Sequence, residues 1–590
     1  MRAFVLDHHP RRHAAILDHI LTSLVINSTD HDRAGCAGIA EGHSDLITAS
    51  HARGRAQGDG AGVVGLVEQV DRQVRPRQIN STLLIRTIEK RRAAPTGSLG
   101  QRGPMSFHAT VHLSRPDALF IGGAWVAPAT SAKHTIISPF DGRTVIEIAE
   151  AKAEDVERAV AAAATAFENG PWPRMQLSER LAVLSRWADA IEARVGDIAT
   201  AHSAQIGIPI SFSTAVASSA VVSLRNTIEF AGAYRFEEDR PAQGGLARIS
   251  REPVGVVAAI VPWNFPSLLA MNKMAPALAV GCPVIVKPAL EAPLDCLIFA
   301  ECAQQAGFPE GVLSVLPADR AVGEHLIGDP RVDKVSFTGS TTAGKHIAAR
   351  CMERVARVTL ELGGKSAAII LDDFPLASAI PALVQMSTLF NGQACMGLTR
   401  VLVSRRRHDE LAQGLAAAYG ALKVGDPSDP ATQIGPVASP AQAERVAGYI
   451  EAGKRSGARL MTGGIVNGCL VQPTVFANIT NQMSIAREEI FGPVLVVQPY
   501  DSVDEAVAIA NDSPYGLNGA IFTLDADLAL TLARRIRAGS VAQNGMGPQA
   551  GLPFGGYKQS GLGREGGPEA LDLYTEIKAI YLSSPPIAPR

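Results

Sequence analysis

The chain has 590 residues, too many for one compact core, so two or three domains are expected. Its 55 basic and 57 acidic residues nearly cancel, and a net charge of -2 supplies no field for capturing nucleic acid or an anionic membrane. Seven cysteines, odd in number and scattered, fit neither a disulfide framework nor paired metal ligands and point to a reducing cytoplasm.

Residues 1–104 come first. They hold seven of the fourteen histidines and thirteen Arg against one Lys, with polar, Gly-rich runs such as "HARGRAQGDGAG". The histidines show no metal spacing, and "STLLIRTIEKRR" predicts one short helix without a core. This stretch is expected to be disordered or a non-native extension ahead of a start at Met105, with a regulatory or targeting arm as the alternative. It lacks the apolar segment of a secretory signal.

Beyond Met105 the texture changes. "SERLAVLSRWADAIEARV" sets Leu181, Leu184, Ala188, Ile191 and Val195 on one helix face. Apolar runs at 254–261, 283–286, 313–316 and 335–337 alternate with helical segments, which predicts βαβ units and a parallel sheet covered on both faces. The most apolar region, 254–286, is broken by Pro262, Asn264, Pro266, Lys273 and Pro276, so no membrane span is expected.

The run "VSFTGSTTAGKH" then offers Gly339, Gly344 and Lys345 in nearly the spacing of a triphosphate loop. His346 stands where a magnesium-binding hydroxyl is required, and Thr341 where a dinucleotide turn wants its second glycine. What survives is a turn between strand and helix whose first amides could meet a phosphate, or a purely structural turn.

Four further stretches carry chemistry. "VPWNFP" places Asn264 just past a strand, "TLELGGK" ends a strand on Glu361, "FNGQACMGLTR" sets Cys395 after a glycine, and "REEIFGP" supplies Glu489 and Phe491. Each has a bland reading, since a buried cysteine usually packs and a strand-end carboxylate is usually solvated. Together they hold a thiol nucleophile, an amide donor for an oxyanion and a carboxylate able to activate water, the parts needed to oxidise an aldehyde. After Cys395 a second α/β region follows, in which "SVDEAVAIAN" offers a capping box of Ser502 and Glu505.

From about residue 113 to 582 the chain resembles the NAD(P)-dependent aldehyde dehydrogenase superfamily, through "PWNFP", "FTGST", "LELGGKS", "GQAC", "EEIFGPV", "PFGGYKQSGLGREGG" and "YTEIK" in the family's order. The resemblance implies an α/β fold of three parts. A Rossmann-like dinucleotide-binding domain would take residues 105–234 and 254–363, an α/β catalytic domain 364–565, and a small β oligomerisation projection 235–253 with 566–590. It implies Cys395 as nucleophile, Asn264 with the Cys395 backbone N–H as oxyanion hole, and Glu361 as the base that hydrolyses a thioester.

For the cofactor it implies Lys287 at the adenosine ribose, Gly339 and Ser340 at the pyrophosphate, Glu489 at the nicotinamide ribose, and Trp263, Leu362 and Phe491 around that end. Lys345 is left as a surface residue. Phe265, Leu268, Met396, Met546 and Phe554 would line a substrate tunnel.

Two departures matter. Many relatives carry a Glu after the ribose Lys where this chain has Leu290, with Glu291 one step on, so NAD is the expected cofactor with NADP as the alternative. "CMGLTR" also puts Met396, Gly397 and Leu398 after the nucleophile. No Arg or Lys lies near the expected tunnel and the loop 544–551 has no aromatic residue, which disfavours dicarboxylic semialdehydes and quaternary amines. An apolar aliphatic, terpenoid or aryl aldehyde is the expected substrate, turned over by a homodimer or homotetramer without nucleic-acid or membrane partners. The rival readings are a coenzyme A-acylating relative, which generally lacks a carboxylate at the position of Glu361, and a catalytically silent member of the fold.

Overall fold

The computed structural model describes residues 111–545, 547 and 549–584. The stretch 1–104 with its expected helix, the start at Met105, and the tunnel candidate Met546 lie outside them. Strands β1 (Leu119–Ile121) and β2 (Ala124–Val126) form a tight antiparallel pair, and β3 (Lys133–Ile137) and β4 (Thr144–Ala149) a separate hairpin. Four helices between residues 153 and 233 follow, then the hairpin β5 (Glu237–Ala242) and β6 (Gly245–Pro253).

Strand and helix then alternate. The four apolar runs become β7 (Val257–Val261), β8 (Val284–Pro288), β9 (Leu313–Val315) and β10 (Lys334–Thr338), and β11 (Arg357–Glu361) closes the series. These five run parallel in the order β9-β8-β7-β10-β11, with β1 antiparallel on β9. Their continuous hydrophobicity has a direct cause: Val257, Ala259, Val261, Val284 and Val286 pack into one core, while Val256, Ala258, Ile285, Val335 and Phe337 pack into another on the opposite face. Side chains alternate across the pleat, and helices cover both faces.

The chain steps from β7 through β8 to β9 on one side and returns to β10 and β11 on the other. Such a reversal leaves a crevice beyond the C-terminal ends of β7 and β10, the usual ligand position in an open parallel sheet.

A second sheet holds β12 (Ala367–Ile370), β13 (Arg400–Ser404) and β14 (Arg459–Thr462). After a small hairpin of β15 (Val466–Asn467) and β16 (Leu470–Val471) it gains β17 (Thr474–Ala477), β18 (Val494–Tyr500), β19 (Gly519–Phe522) and β20 (Ala542–Gln543), in the order β14-β17-β18-β13-β12-β19-β20. The bridge from first sheet to second is the short segment 362–366. Two late strands return to earlier elements: β21 (Gly561–Leu562) pairs with β11, and β22 (Thr575–Leu582) extends the β5–β6 hairpin to three strands. Thus 561–562, within the region expected to be catalytic, lies on the edge of the first sheet.

Two local expectations differ in detail. The helix Leu177–Glu192 buries Leu184, Ala188 and Ile191, but Val195 opens the next helix, after a break where Arg194 turns to Glu301 at 3.0 Å. Ser502 caps its helix through the Glu505 N–H at 3.2 Å, whereas the Glu505 carboxylate accepts from Asp501 N–H at 2.6 Å instead of closing the box on Ser502. Among the described residues no helix is long and apolar enough to cross a membrane.

Candidate active site

The crevice collects residues from the ends of separate strands. Asn264 follows β7, on a turn fixed by Pro262 and by Pro266 at the first position of the helix Pro266–Val280. Its amide is 7% exposed and donates to the Gln393 carbonyl at 2.9 Å, which leaves its second N–H free. Ser340 follows β10 and caps the helix Thr341–Met352, and Glu361 is the last residue of β11.

Cys395 is held by a strained turn. Phe390 and Asn391 both take left-handed conformations, at φ 52° and 59°. Asn391 compensates with its amide, which donates to the Gly207 and Pro436 carbonyls at 2.9 Å each and accepts from Gly435 N–H at 2.8 Å. Gly392 at φ 76° admits no side chain, because a Cβ there would come within 2.2 Å of the Gly492 backbone. The nucleophile turn is therefore stacked on the "FGP" segment.

A cavity of about 250 Å³ is lined by Asn264, Cys395, Leu362, Glu489 and Phe491, together with Trp263, Gly339 and Ser340. Through Pro262, Trp263, Thr338, Gly339 and Ser340 it adjoins a cleft of about 940 Å³ that contains Lys287, Leu290 and Glu291. Leu290 is half-buried on the wall and Glu291 exposed at the lip. Trp263 and Phe491 meet edge to face at 5.4 Å. Glu489 accepts the Gly364 N–H at 3.0 Å, and a Cβ on Gly363 would fall 2.5 Å from its carboxylate, so the Gly-Gly pair is what lets this carboxylate approach.

Glu361 lies behind the wall, 2% exposed, with neither oxygen hydrogen-bonded. Phe265, Leu268, Met396 and Phe554 are half-buried and line neither of these two cavities; Phe265 stacks on Phe390 at 4.4 Å. Lys345 is exposed and donates to Gln559 at 3.0 Å.

The electrostatics are set mainly by burial. It pushes the Cys395 thiol up to about 12, with the Glu489 and Glu361 carboxylates adding to the effect. Burial also raises Glu361 well above the ordinary carboxylate range, with Glu565 adding and Lys273 and Arg564 opposing. Glu489 rises to about 7 by burial against its bond to Gly364, while burial lowers the Lys287 ammonium to about 8. The arrangement offers a thiol, an amide donor lining the same cavity, and a buried carboxyl, Glu361, held well above the ordinary carboxylate range.

Several residues escaped the sequence reading. Lys273 forms an ion pair with Glu565 at 2.5 Å, both essentially unexposed, and Ser336 Oγ lies 3.4 Å from the same carboxylate. A lone lysine inside an apolar region was the available signal, because such a charge requires a partner. Asn391 and Gln393 beside the nucleophile were also overlooked.

The family model described as "Aldehyde dehydrogenase family" matches residues 125–580. Among curated proteins, geranial dehydrogenase of Castellaniella defragrans is 46% identical over 470 residues, covering 79% of this chain and 98% of the relative. Aldehyde dehydrogenase 1 of Tanacetum cinerariifolium is 39% identical over 475 residues, 78% of this chain and 94% of its own. Among solved structures, Mycobacterium tuberculosis aldehyde dehydrogenase complexed with NAD+ superposes with a TM-score of 0.78 at 44% identity, over 80% of this chain and 99% of that one. Aldehyde dehydrogenase C of Pseudomonas syringae, a mutant complexed with NAD+ and octanal, gives a TM-score of 0.77 at 39% identity, over 80% and 97%.

Proposed function

The chain belongs to the aldehyde dehydrogenase family, and from that premise we propose that it oxidises an apolar aldehyde to its carboxylic acid with NAD, through a covalent adduct on Cys395. The observation that carries this reading is the single cavity shared by Cys395, Asn264, Glu489 and Phe491 at the end of a long cleft.

The cleft fits a dinucleotide. Ser340 opens a helix whose first amides suit a pyrophosphate, and the turn before it needs Gly339, since a Cβ there would meet the Phe337 ring at 2.5 Å. Lys287 would hold the adenosine ribose and Glu489 the nicotinamide ribose, with Trp263, Leu362 and Phe491 enclosing that end. When bound, NAD supplies the hydride acceptor.

The protein's own part is as follows. Cys395 first gives up its thiol proton to water; the thiolate sulfur then adds to the aldehyde carbon, and the oxyanion accepts from the free Asn264 N–H and from Cys395 N–H. Loss of hydride leaves a thioester on Cys395. Glu361, ionised and turned from its place behind the wall into the cavity, takes a proton from water, whose oxygen attacks the thioester carbon; the carbon–sulfur bond breaks and the acid departs, returning the thiolate. A carboxyl held high in its titration range performs this step well, because its conjugate base is strong.

The geranial and octanal named for the two relatives support an apolar substrate; Phe265, Leu268, Met396 and Phe554 remain the proposed lining for it. The six described cysteines are all free thiols, consistent with a cytoplasmic enzyme.

The test is turnover of hexanal, citral, benzaldehyde and succinic semialdehyde, followed by near-ultraviolet absorbance of the reduced cofactor, with NAD and NADP in parallel. Reduction by wild type and none by Cys395→Ala is expected, fastest with the apolar aldehydes. A preference for succinic semialdehyde would sink the substrate reading, and undiminished Cys395→Ala turnover the mechanism.

A further inference from the structure

The bridge 362–366 carries a lysine that the chemistry above does not use. Lys365 is 3% exposed and its ammonium has no hydrogen-bond partner. With Ser366, Asn511, Tyr515, Asn518 and Arg537 it lines a cavity of about 20 Å³, room for one water-sized occupant. Ser366 Oγ and Asn518 Oδ1 are likewise buried without partners.

The surroundings are rich in cations. Arg400, 1% exposed with its Nε unpartnered, repels Lys365; Arg537 stands exposed at the rim, and Lys558 donates to the Asn511 and Ser513 carbonyls at 2.7 and 3.1 Å. The neighbouring carboxylates are engaged elsewhere: Asp512 with Arg487 and Asn481, Glu488 with Tyr449, and Glu489 with Gly364. Burial keeps the Tyr515 phenol neutral. A buried ammonium without a partner is costly, so it must lose its proton or gain an anion.

We propose that this cavity binds a single monatomic anion of the chloride class, held by the Lys365 ammonium and the Ser366 hydroxyl. Asn518 Oδ1 is an acceptor and opposes an anion on its side, which makes water the rival occupant. The site bears on catalysis through its walls. Asn518 Nδ2 donates to the Met396 carbonyl at 3.0 Å, next to Cys395, and Gly364 N–H, one residue before Lys365, holds Glu489. Without an anion, burial and Arg400 lower Lys365 to about 7, so occupancy should fall as pH rises and the ammonium is lost.

Crystals of the full chain grown without halide and soaked in bromide should show an anomalous peak beside Lys365, absent in Lys365→Met. In solution, chloride in place of gluconate at equal ionic strength should raise Tm by about 2 °C. That gain should shrink from about pH 6 to about pH 9 as the amine of pKa about 7 deprotonates. If Lys365→Met does not fold, the wild-type crystal decides alone. Water in the cavity with no bromide peak overturns the proposal, as does an equal chloride response in a folded Lys365→Met.

Discussion

Burial pushes the Cys395 thiol up to about 12, and the charges of Glu489 and Glu361 add to the effect. Below that value the thiolate fraction grows about tenfold per pH unit, so alkylation by iodoacetamide in the absence of cofactor should climb steadily from pH 7 to 9. A rate that levels off near pH 8 would mean that the thiol is far more acidic than this environment allows. On the proposed mechanism, Asn264→Ala removes the amide donor to the oxyanion and should lower kcat by about 100- to 1,000-fold while leaving alkylation of Cys395 within a few-fold. Lys273→Met should destabilise the protein by about 3–5 kcal/mol in denaturant unfolding, because it strands the buried Glu565 carboxylate, and adding Glu565→Leu should recover most of the loss. Of these residues, Cys395 and Asn264 were legible because their motifs are local. The pairing of Lys273 with a residue 292 positions away was not, since no local pattern encodes a contact at that distance.

Among elements, the turn beneath the nucleophile carries the most exposed prediction. Asn391 satisfies two carbonyls and one N–H while sitting at a positive φ, so Asn391→Ala should cost about 2–4 kcal/mol and slow Cys395 alkylation. Unchanged Tm together with unchanged alkylation would show that the turn is held by the Gly492–Pro493 stacking alone. The parallel strands were readable because burial on both faces writes an unbroken apolar run into the sequence. The pairing of β21 with β11 was not, because two residues, Gly561 and Leu562, carry too little pattern to name a partner. The displaced capping contact of Glu505 was hidden for a simpler reason: a flexible carboxylate can choose between adjacent N–H groups, and sequence does not weigh them.

For the molecule as a whole, the crevice at the β7/β10 reversal explains why Trp263, Asn264, Cys395, Glu489 and Phe491, far apart in the chain, meet in one cavity. The three-stranded sheet invites a different expectation. On its edge strand β22, Ile577 and Tyr581 are 69% and 77% exposed, an apolar edge of the sort that pairs with another chain. Light scattering should therefore report a dimer or tetramer, and Ile577→Glu with Tyr581→Lys should shift it towards smaller species. A wild-type monomer at micromolar concentration would remove β22 from consideration as an assembly edge.

Of the six described cysteines, five are closed off, Cys282, Cys296, Cys302 and Cys351 almost completely and Cys469 nearly so, while Cys395 alone opens partly to its cavity. A chain begun at Met105 would also omit Cys36. Such a protein is its own single-site labelling reagent. An electrophile bearing a fluorophore would titrate competent active sites one for one, and its brightness would count them in a mixture without any substrate being known.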